Sequence, residues 1–486
     1  MTTARPAGPI PDMRERIGLA TILAATFMGQ VDGFVVNVAS PSIQRDLPAG
    51  FDQIQLIGAI YVLACAAGLI TGGRLGDRYG HRRVFLLGVA GFTLASLACG
   101  LAPNPELLIA ARFVQGATAA LLIPQELSIL RTMYPDEERR ARAVGAYGVV
   151  LGLGVICGLA GGGILVHLDV AGLGWRSAFL VNVPIGLAIV ALGLRSLPES
   201  RSAAAPRLDL PGVALTAVAL PALLLPLIAG PGRGWPAWIW LVAAFALVTS
   251  GVLVWQQRSV AAAGGDPLFP PRALTAPGIP ISLATAFTFF AGNSGLFLVF
   301  TYYVQTGLGF DALAGGLMFV WLGVGFAVGS SVSGRLTRRF GTRPAVAGCG
   351  FLAAALLAQL AVVQAPAGAQ PVLLAVVIGL IGLAEGLVVT PLVAGILSRV
   401  APDDVGAVSG AASTVTQFGL ASGYAAIGTL YGLVLGGTPG APDAPADLAP
   451  HVTAYTATSV VLAALALVTG FLCLRRDLVA RPVPAT

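Results

Sequence analysis

A few charged side chains lie inside otherwise apolar stretches of this 486-residue chain: Asp32, Arg112, Glu126 and Glu385. A lone carboxylate deep in a bilayer costs several kcal/mol unless it is paired, hydrated or protonated, so such a residue is a functional candidate by default. Asp32 stands about 15 residues into its apolar run, roughly 22 Å from where the run begins at helical rise. A carboxylate there can hold either a proton or a cation, the chemistry an exchange reaction needs. Arg112 stands about five residues into another run, roughly 8 Å deep. Asp32 is seven or eight residues short of the same side, so an Asp32–Arg112 pair is geometrically possible. Gln115 lies one turn beyond Arg112 on the same face. Glu385 sits about 13 residues into its run, near mid-depth at helical rise. Each has a plainer reading: a carboxylate satisfied by backbone or water, an arginine snorkelling to the interface, or a helix–helix hydrogen bond for Glu385. Glu126, near Arg131 at the end of its run, reads as structural.

The elements that must position these residues follow from composition. Hydrophobic residues make up 56% of the chain and charged residues 10%, against about a quarter charged in soluble domains. Fourteen runs are long enough to span a bilayer as helices: 17–40, 54–73, 84–102, 107–132, 143–166, 178–195, 210–230, 236–256, 280–303, 312–333, 345–364, 372–398, 407–434 and 455–474. An even number puts both termini on one side. Placing the N-terminus in the cytoplasm puts 24 of the 28 basic residues, all Arg, on the inner side. Arg45, Arg112, Arg176 and Arg233 are the remainder. That asymmetry predicts cytoplasmic termini and explains the net charge of +6 without nucleic acid. The first run is too long for a cleaved leader and reads as a retained helix. The absence of Lys beside abundant Ala and Gly suggests a high-GC bacterial genome. The five cysteines have no metal or disulfide spacing and read as small buried hydrophobes. His81, His167 and His451 have no metal-site partner nearby in sequence. No phosphate-binding G-x-x-x-x-G-K-[ST] motif occurs, which argues against ATP hydrolysis.

An internal repeat organises the runs. Gly73-Arg-Leu-Gly-Asp77-Arg78-Tyr-Gly80-His-Arg82 aligns with Gly334-Arg-Leu-Thr-Arg-Arg-Phe-Gly-Thr-Arg343 at an offset of 261, and Pro135-Asp136 echoes Pro402-Asp403 at 267. The chain therefore reads as a tail (1–16), a six-helix bundle (17–198), a linker with two inserted helices (199–279), a second six-helix bundle (280–474) and a tail (475–486). Two repeated bundles are how many secondary transporters rock about a central site. The offset carries Asp32 onto Asn293, so both halves point a polar side chain to one depth and only the first titrates. Arg112 maps at 267 onto Gly379.

Four motifs give this pattern a family likeness. Gly73–Arg83 follows G-x-L-a-D-r-x-G-r-k through Asp77, Arg78, Gly80, Arg82 and Arg83. Asp32–Pro41 reads D-G-F-V-V-N-V-A-S-P, Arg112–Gly116 reads R-x-x-Q-G, and Trp175-Arg176 precedes Phe179, Asn182, Pro184 and Gly186. Over almost its whole length the chain resembles the major facilitator superfamily, and within it the 14-span drug:proton antiporters. The resemblance implies an all-α membrane protein built six, two and six, two pseudo-symmetric halves, and proton-coupled efflux by alternating access. The antiporter motif of the fifth span reads Gly154-Val-Ile-Cys-Gly158-Leu159-Ala-Gly-Gly162-Gly163. Leu159 stands where the family has proline, so the packing glycines remain but a proline kink is not available there, and antiport and uniport both stay open.

The remaining candidates serve that cycle. Asp77 with Arg78, Arg82 and Arg83, turned at Gly73 and Gly80, reads as a conformational latch between adjacent helix ends. Arg338 replaces the acid in the second copy. Gly154, Gly158, Gly162 and Gly163 allow close packing, with Gly323, Ala327 and Ser331 of the tenth span as the partner face. Phe34, Phe289, Phe290, Phe297 and Trp321 are candidates to line a cavity for apolar or cationic aromatic compounds. The expectation is a monomeric, multi-pass transporter of a bacterial inner membrane rather than an enzyme. It would move hydrophobic or cationic drugs or antibiotics, powered by the proton gradient, with no cofactor or metal, in contact with lipid and not with nucleic acid. A dedicated metabolite exporter, a uniporter and a membrane-embedded sensor or enzyme are the alternatives.

Overall fold

In a computed structural model of the chain, residues 13–201, 208–366, 368–397, 405–436 and 448–479 are described. Arg5, Arg207, Arg399, Arg481 and the Pro402-Asp403 echo lie outside them. Fourteen helices in the described residues are long and apolar enough to cross a bilayer: α1 (Met13–Asp46), α2 (Phe51–Tyr79), α3 (His81–Gly100), α4 (Pro105–Met133), α5 (Glu137–Leu168), α6 (Gly174–Ser196), α7 (Leu210–Ala229), α8 (Ala237–Ala262), α9 (Ile279–Gly307), α10 (Ala312–Phe340), α11 (Arg343–Val362), α12 (Gln370–Leu392), α13 (Val408–Leu435) and α14 (Leu448–Arg475). The protein is a multi-pass, all-helical membrane protein.

The ends of these helices follow capping chemistry. Side-chain oxygens of Asn104, Asp136, Asp209 and Asp311 accept from the backbone N–H three residues on, at 2.8–3.0 Å, and so start α4, α5, α7 and α10. Gly80, at φ 105°, makes the turn between α2 and α3, a conformation that favours glycine. Inside the helices, hydroxyls return to the carbonyl one turn back, as with Thr26 to Ile22 and Ser40 to Val36. A polar side chain thus satisfies itself where no water reaches.

Several helices run past the apolar windows. α1 begins at Met13 and continues through Pro41 to Asp46, beyond the 17–40 window. A hydropathy window stops at polar residues, whereas this helix buries Ser40 and Gln44 against neighbours.

The two six-helix halves repeat one packing scheme. In the first, α1 packs on α5 and α6, α2 and α3 on α4, and α3 on α6. In the second, α9 packs on α13 and α14, α10 and α11 on α12, and α11 on α14. The halves meet along two seams, α2 with α13 and α5 with α10. α7 and α8 pack on each other, and α7 lies against α2 and α13. Leu224 and Ile228 of α7 join Ala59, Leu63, Ala421 and Ala425 in one apolar cluster, so the inserted pair covers one seam.

Asp209 anchors this pair. Its carboxylate accepts from Gln256 and Gln257 at the end of α8 and from the backbone of Gly212 and Leu268. Burial would raise its pKa, but those donors hold the carboxyl below its ordinary range.

Candidate functional site

Asp32 is fully buried in α1, and its two oxygens are saturated. Arg112 of α4 donates from Nη1 to Oδ2 at 2.6 Å, while Gln115 Nε2 and Asn182 Nδ2 donate to Oδ1 at 2.7 and 2.9 Å. The same donors reach Ser96 of α3, whose hydroxyl accepts from Gln115 and Asn182 at 3.0 and 2.9 Å and donates to the Phe179 carbonyl. Arg112 also donates to Gln115 Oε1 and to the carbonyl of Ile57. Its guanidinium lies over the ring of Tyr61, 4.1 Å from the centroid. Donors from α4 and α6 thus meet the α1 carboxylate, and α2 and α3 hold those donors, so five helices join one network. A buried ion pair this well satisfied is tolerable, and removing either partner leaves an uncompensated charge.

A cavity of about 640 Å³ lies between the two halves, next to this cluster. Tyr61 lines it and separates it from Arg112. Its first wall runs from Ala25 to Asn37 on α1, from Leu122 to Glu126 on α4 and from Tyr147 to Ile156 on α5. The opposite wall carries Phe289, Phe290, Asn293 and Phe297 of α9, Glu385 of α12 and Ser409 to Tyr424 of α13. Asn293 donates to Glu385 Oε1 at 2.8 Å.

The cavity opens toward the side where α1 begins, because the far side is closed by contacts between halves. Tyr302 donates to Gln44 at 2.8 Å, Gln305 to the Val38 carbonyl at 3.0 Å, and Thr429 to Gln55 at 3.3 Å. His167 at the end of α5 meets Asp311 before α10 at 2.9 Å. Here α5 and α10 touch backbone to backbone: a Cβ on Gly163 would sit 2.3 Å from the Ala312 carbonyl oxygen, and one on Gly316 would sit 3.0 Å from that of Leu159. Toward the open side the helices part, and nothing lies within 4 Å of a Cβ on Gly145, Gly148 or Gly152.

A family profile described as Major Facilitator Superfamily matches residues 22–424 and 281–485, between them nearly the whole chain. The chain belongs to the Major Facilitator Superfamily. Among its relatives, the "Probable actinorhodin transporter" of Streptomyces coelicolor is 38% identical over 433 residues, 88% of this chain and 75% of the other. The "Puromycin resistance protein pur8" of Streptomyces alboniger is 36% identical, covering 86% and 82%. The "Cephamycin export protein CmcT" of Amycolatopsis lactamdurans is 36% identical, covering 93% and 92%. Among solved structures, a bacterial homolog of the human lysosomal transporter Spinster superposes with a TM-score of 0.69 at 18% identity, covering 98% of this chain and 100% of that one. A bacterial homologue of the peptide transporters PepT1 and PepT2 gives 0.64 at 16%, over 95% and 98%. These two share its fold. The protein is thus a facilitator-superfamily transporter, and its central cavity is where such a fold keeps its cargo.

The fold brings Asp32, Arg112 and Gln115 together, and separately Asn293 and Glu385. Asn182 was legible only as part of the Trp175–Gly186 motif, and Ser96 carried no signal. Other expectations need correction. Gly154, Gly158 and Gly162 pack on α1, within their own half: their Cβ positions meet Gln30, Val31, Phe34 and Val35. Of the motif's four glycines Gly163 is the one that faces α10, joined there by Ile156, Leu159 and Ala160. The facing surface of α10 is Ala312, Gly316 and Gly323, and Ala327 and Ser331 are exposed. Successive steps of four residues drift around a helix of 3.6 per turn, which carries those two off the seam. Phe34, Phe289, Phe290 and Phe297 line the cavity, whereas Trp321 points outward, 56% exposed. Cys157 is exposed on α5; the other four cysteines are buried.

The Gly73–Arg83 turn is wired differently from a latch of Asp77 with arginines. Asp77 pairs with His81 at 3.5 Å, and His81 Nδ1 meets Gln125 of α4 at 2.8 Å. Arg82 and Arg83 turn to Glu199 after α6. Arg78 lies over the Tyr79 ring. Arg74 donates to the carbonyls of Asp266 and Pro267 after α8, so the turn also holds the inserted pair.

Proposed function

We propose that this protein exports amphiphilic small molecules, of drug or antibiotic type, in exchange for protons. The observation that carries the reading is a saturated carboxylate–guanidinium pair, Asp32–Arg112, sealed behind Tyr61 against a cavity open to one side. In this state Asp32 accepts hydrogen bonds from Arg112, Gln115 and Asn182. Opening the far side would admit a proton to Asp32, cancel its charge and release Arg112. Return to the present state would re-form the pair and expel the proton to the side where α1 begins. One proton then moves inward for each return, and the cavity carries cargo outward on the alternate stroke.

Arginine placement supports a cytoplasmic N-terminus, so we place the open cavity toward the cytoplasm of a bacterial plasma membrane, with both termini cytoplasmic. The proton gradient is the energy source, with no cofactor, and the chain works as a monomer surrounded by lipid. Relatives named for actinorhodin, puromycin and cephamycin support a cargo of this general kind, and the aromatic walls suit it. The glycines of α5 keep α1, and with it Asp32, close to the moving seam even with Leu159 in place of the family proline.

A susceptibility panel in an efflux-deficient bacterial host tests this reading. The wild type should raise resistance to several amphiphilic compounds, and Asp32→Asn should insert normally yet confer none. Equal resistance from both proteins would remove Asp32 from the mechanism.

A further inference from the structure

Glu126 has no place in the cycle above, yet its setting is unusual. Its side chain is 1% exposed and lines the cavity, and its Oε1 has no hydrogen-bond partner. The groups facing it are Tyr147 of α5 and Thr26 of α1. Arg131, the nearest arginine along α4, is exposed and makes no ion pair with it among the described residues. Leaving a buried carboxylate oxygen unpaired is costly, and on a cavity wall that oxygen is placed to accept from a donor that enters the cavity.

The neighbouring wall repeats the pattern. Asn37 donates its Nδ2 to the Phe34 carbonyl, while its Oδ1 lies buried, unpartnered and on the cavity lining. Glu385 across the cavity is an acceptor already holding Asn293. No Arg or His lines the cavity among the described residues. Its charge-bearing side chains are two acids, Glu126 and Glu385, among amides and hydroxyls that donate or accept, so a cargo that matches brings N–H donors and positive charge. Asp32 cannot play this part here, because its oxygens are filled and Tyr61 stands between it and the cavity. Gln115, which shares Asp32, is eleven residues from Glu126, about 16 Å along α4, so the two carboxylates are separate sites.

We infer that Glu126, beside Tyr147 on the cavity wall, is the contact for a protonated amine on the cargo. This rests on the efflux reading and deepens it: Asp32 handles the proton, and Glu126 recognises the substrate's ammonium group. An ammonium against a carboxylate gains from charge and from hydrogen bonding together.

Binding to the purified full-length protein in lipid nanodiscs tests this with two fluorescent probes. One is dansylcadaverine, a primary amine on an aromatic body; the other is its uncharged N-acetyl derivative. The wild type should bind the amine about tenfold or more tightly than the acetamide, a preference worth about 1.4 kcal/mol. Glu126→Gln should bring the two affinities together by weakening the amine alone, and Glu126→Asp should keep part of the preference. A wild type that binds neither probe, or shows no preference, overturns the inference. So does an unchanged preference in Glu126→Gln, or equal loss of both probes, which would mark Glu126 as structural. Loss of the preference in Asp32→Asn but not in Glu126→Gln would move the ammonium site to Asp32. An efflux reading that failed on the susceptibility panel would leave this binding result standing, so the two failures are distinguishable.

Discussion

The two halves of this transporter share a fold and differ in what they bury. The first half holds Asp32 among Arg112, Gln115 and Asn182. The second has Asn293 at the position the repeat equates with Asp32, and its carboxylate, Glu385, comes from α12 and holds that single amide. The first site is an ion pair sealed away from the cavity; the second is a neutral donor and an acid on the cavity wall. Pseudo-symmetry thus supplies two equivalent places at one depth, and an acid-to-amide difference assigns them different work. In the exchange we propose, the sealed site takes the proton, because one protonation there breaks a strong interaction, and cargo meets the second-half site on the cavity wall together with Glu126 of the first half.

Substitutions can break this contrast in order of effect. Arg112→Met leaves Asp32 buried without its counter-charge, which should cost about 3–5 kcal/mol. The expected outcome is a large loss of thermal stability in detergent, partly restored by adding Asp32→Asn. Stability unchanged in the single variant would mean the pair is hydrated rather than sealed.

Gly158 is next. A Cβ there would lie 2.9 Å from the Val31 carbonyl oxygen and 3.0 Å from Phe34 Cβ, so Gly158→Leu should push α1 from α5 at a cost of about 1–3 kcal/mol. It should also weaken transport, because α1 carries Asp32. Gly161→Ala, with nothing within 4 Å, should be silent in the same melting assay.

Glu385→Gln should have a smaller effect, about 1 kcal/mol, the scale of one hydrogen bond. Substrate affinity should shift while stability holds. A melting-temperature loss matching that of Arg112→Met would make the two halves equals and remove the contrast.

The smallest effect lies outside both sites, at Asp209. Its carboxyl is held below the ordinary range in the folded protein. The stability it contributes is therefore complete above the unfolded value, about 3.9, and is lost as pH falls through the folded value. Hydrogen exchange over the α8 end should rise on acidification below about pH 4, and Asp209→Asn should flatten that dependence.

Much of this was legible in the sequence because a bilayer permits so few solutions. Apolar runs long enough to span must be helices, and the repeated Gly73 and Gly334 segments mark two copies. Matching depths make an Asp32–Arg112 pair possible, and the R-x-x-Q-G likeness at Arg112 favours it over a snorkelling arginine. What escaped depended on rotation about helix axes and on loops. Spacing alone puts Ala327 and Ser331 on the seam, yet the seam follows Ala312, Gly316 and Gly323. Trp321 suits a cavity by type, yet it faces out. Ser96 was invisible because a lone serine in an apolar helix usually bonds its own backbone, and here it bonds Gln115 and Asn182 instead. Arg131 stands five residues from Glu126 and turns outward, which sequence distance gives no hint of.

The exchange we propose places proton movement on Asp32 alone. Proteoliposomes loaded with a pH-sensitive dye, given substrate against a proton gradient, test it most directly. Substrate-linked proton movement should persist in Glu385→Gln and vanish in Asp32→Asn. Persistence in Asp32→Asn with loss in Glu385→Gln would contradict the account.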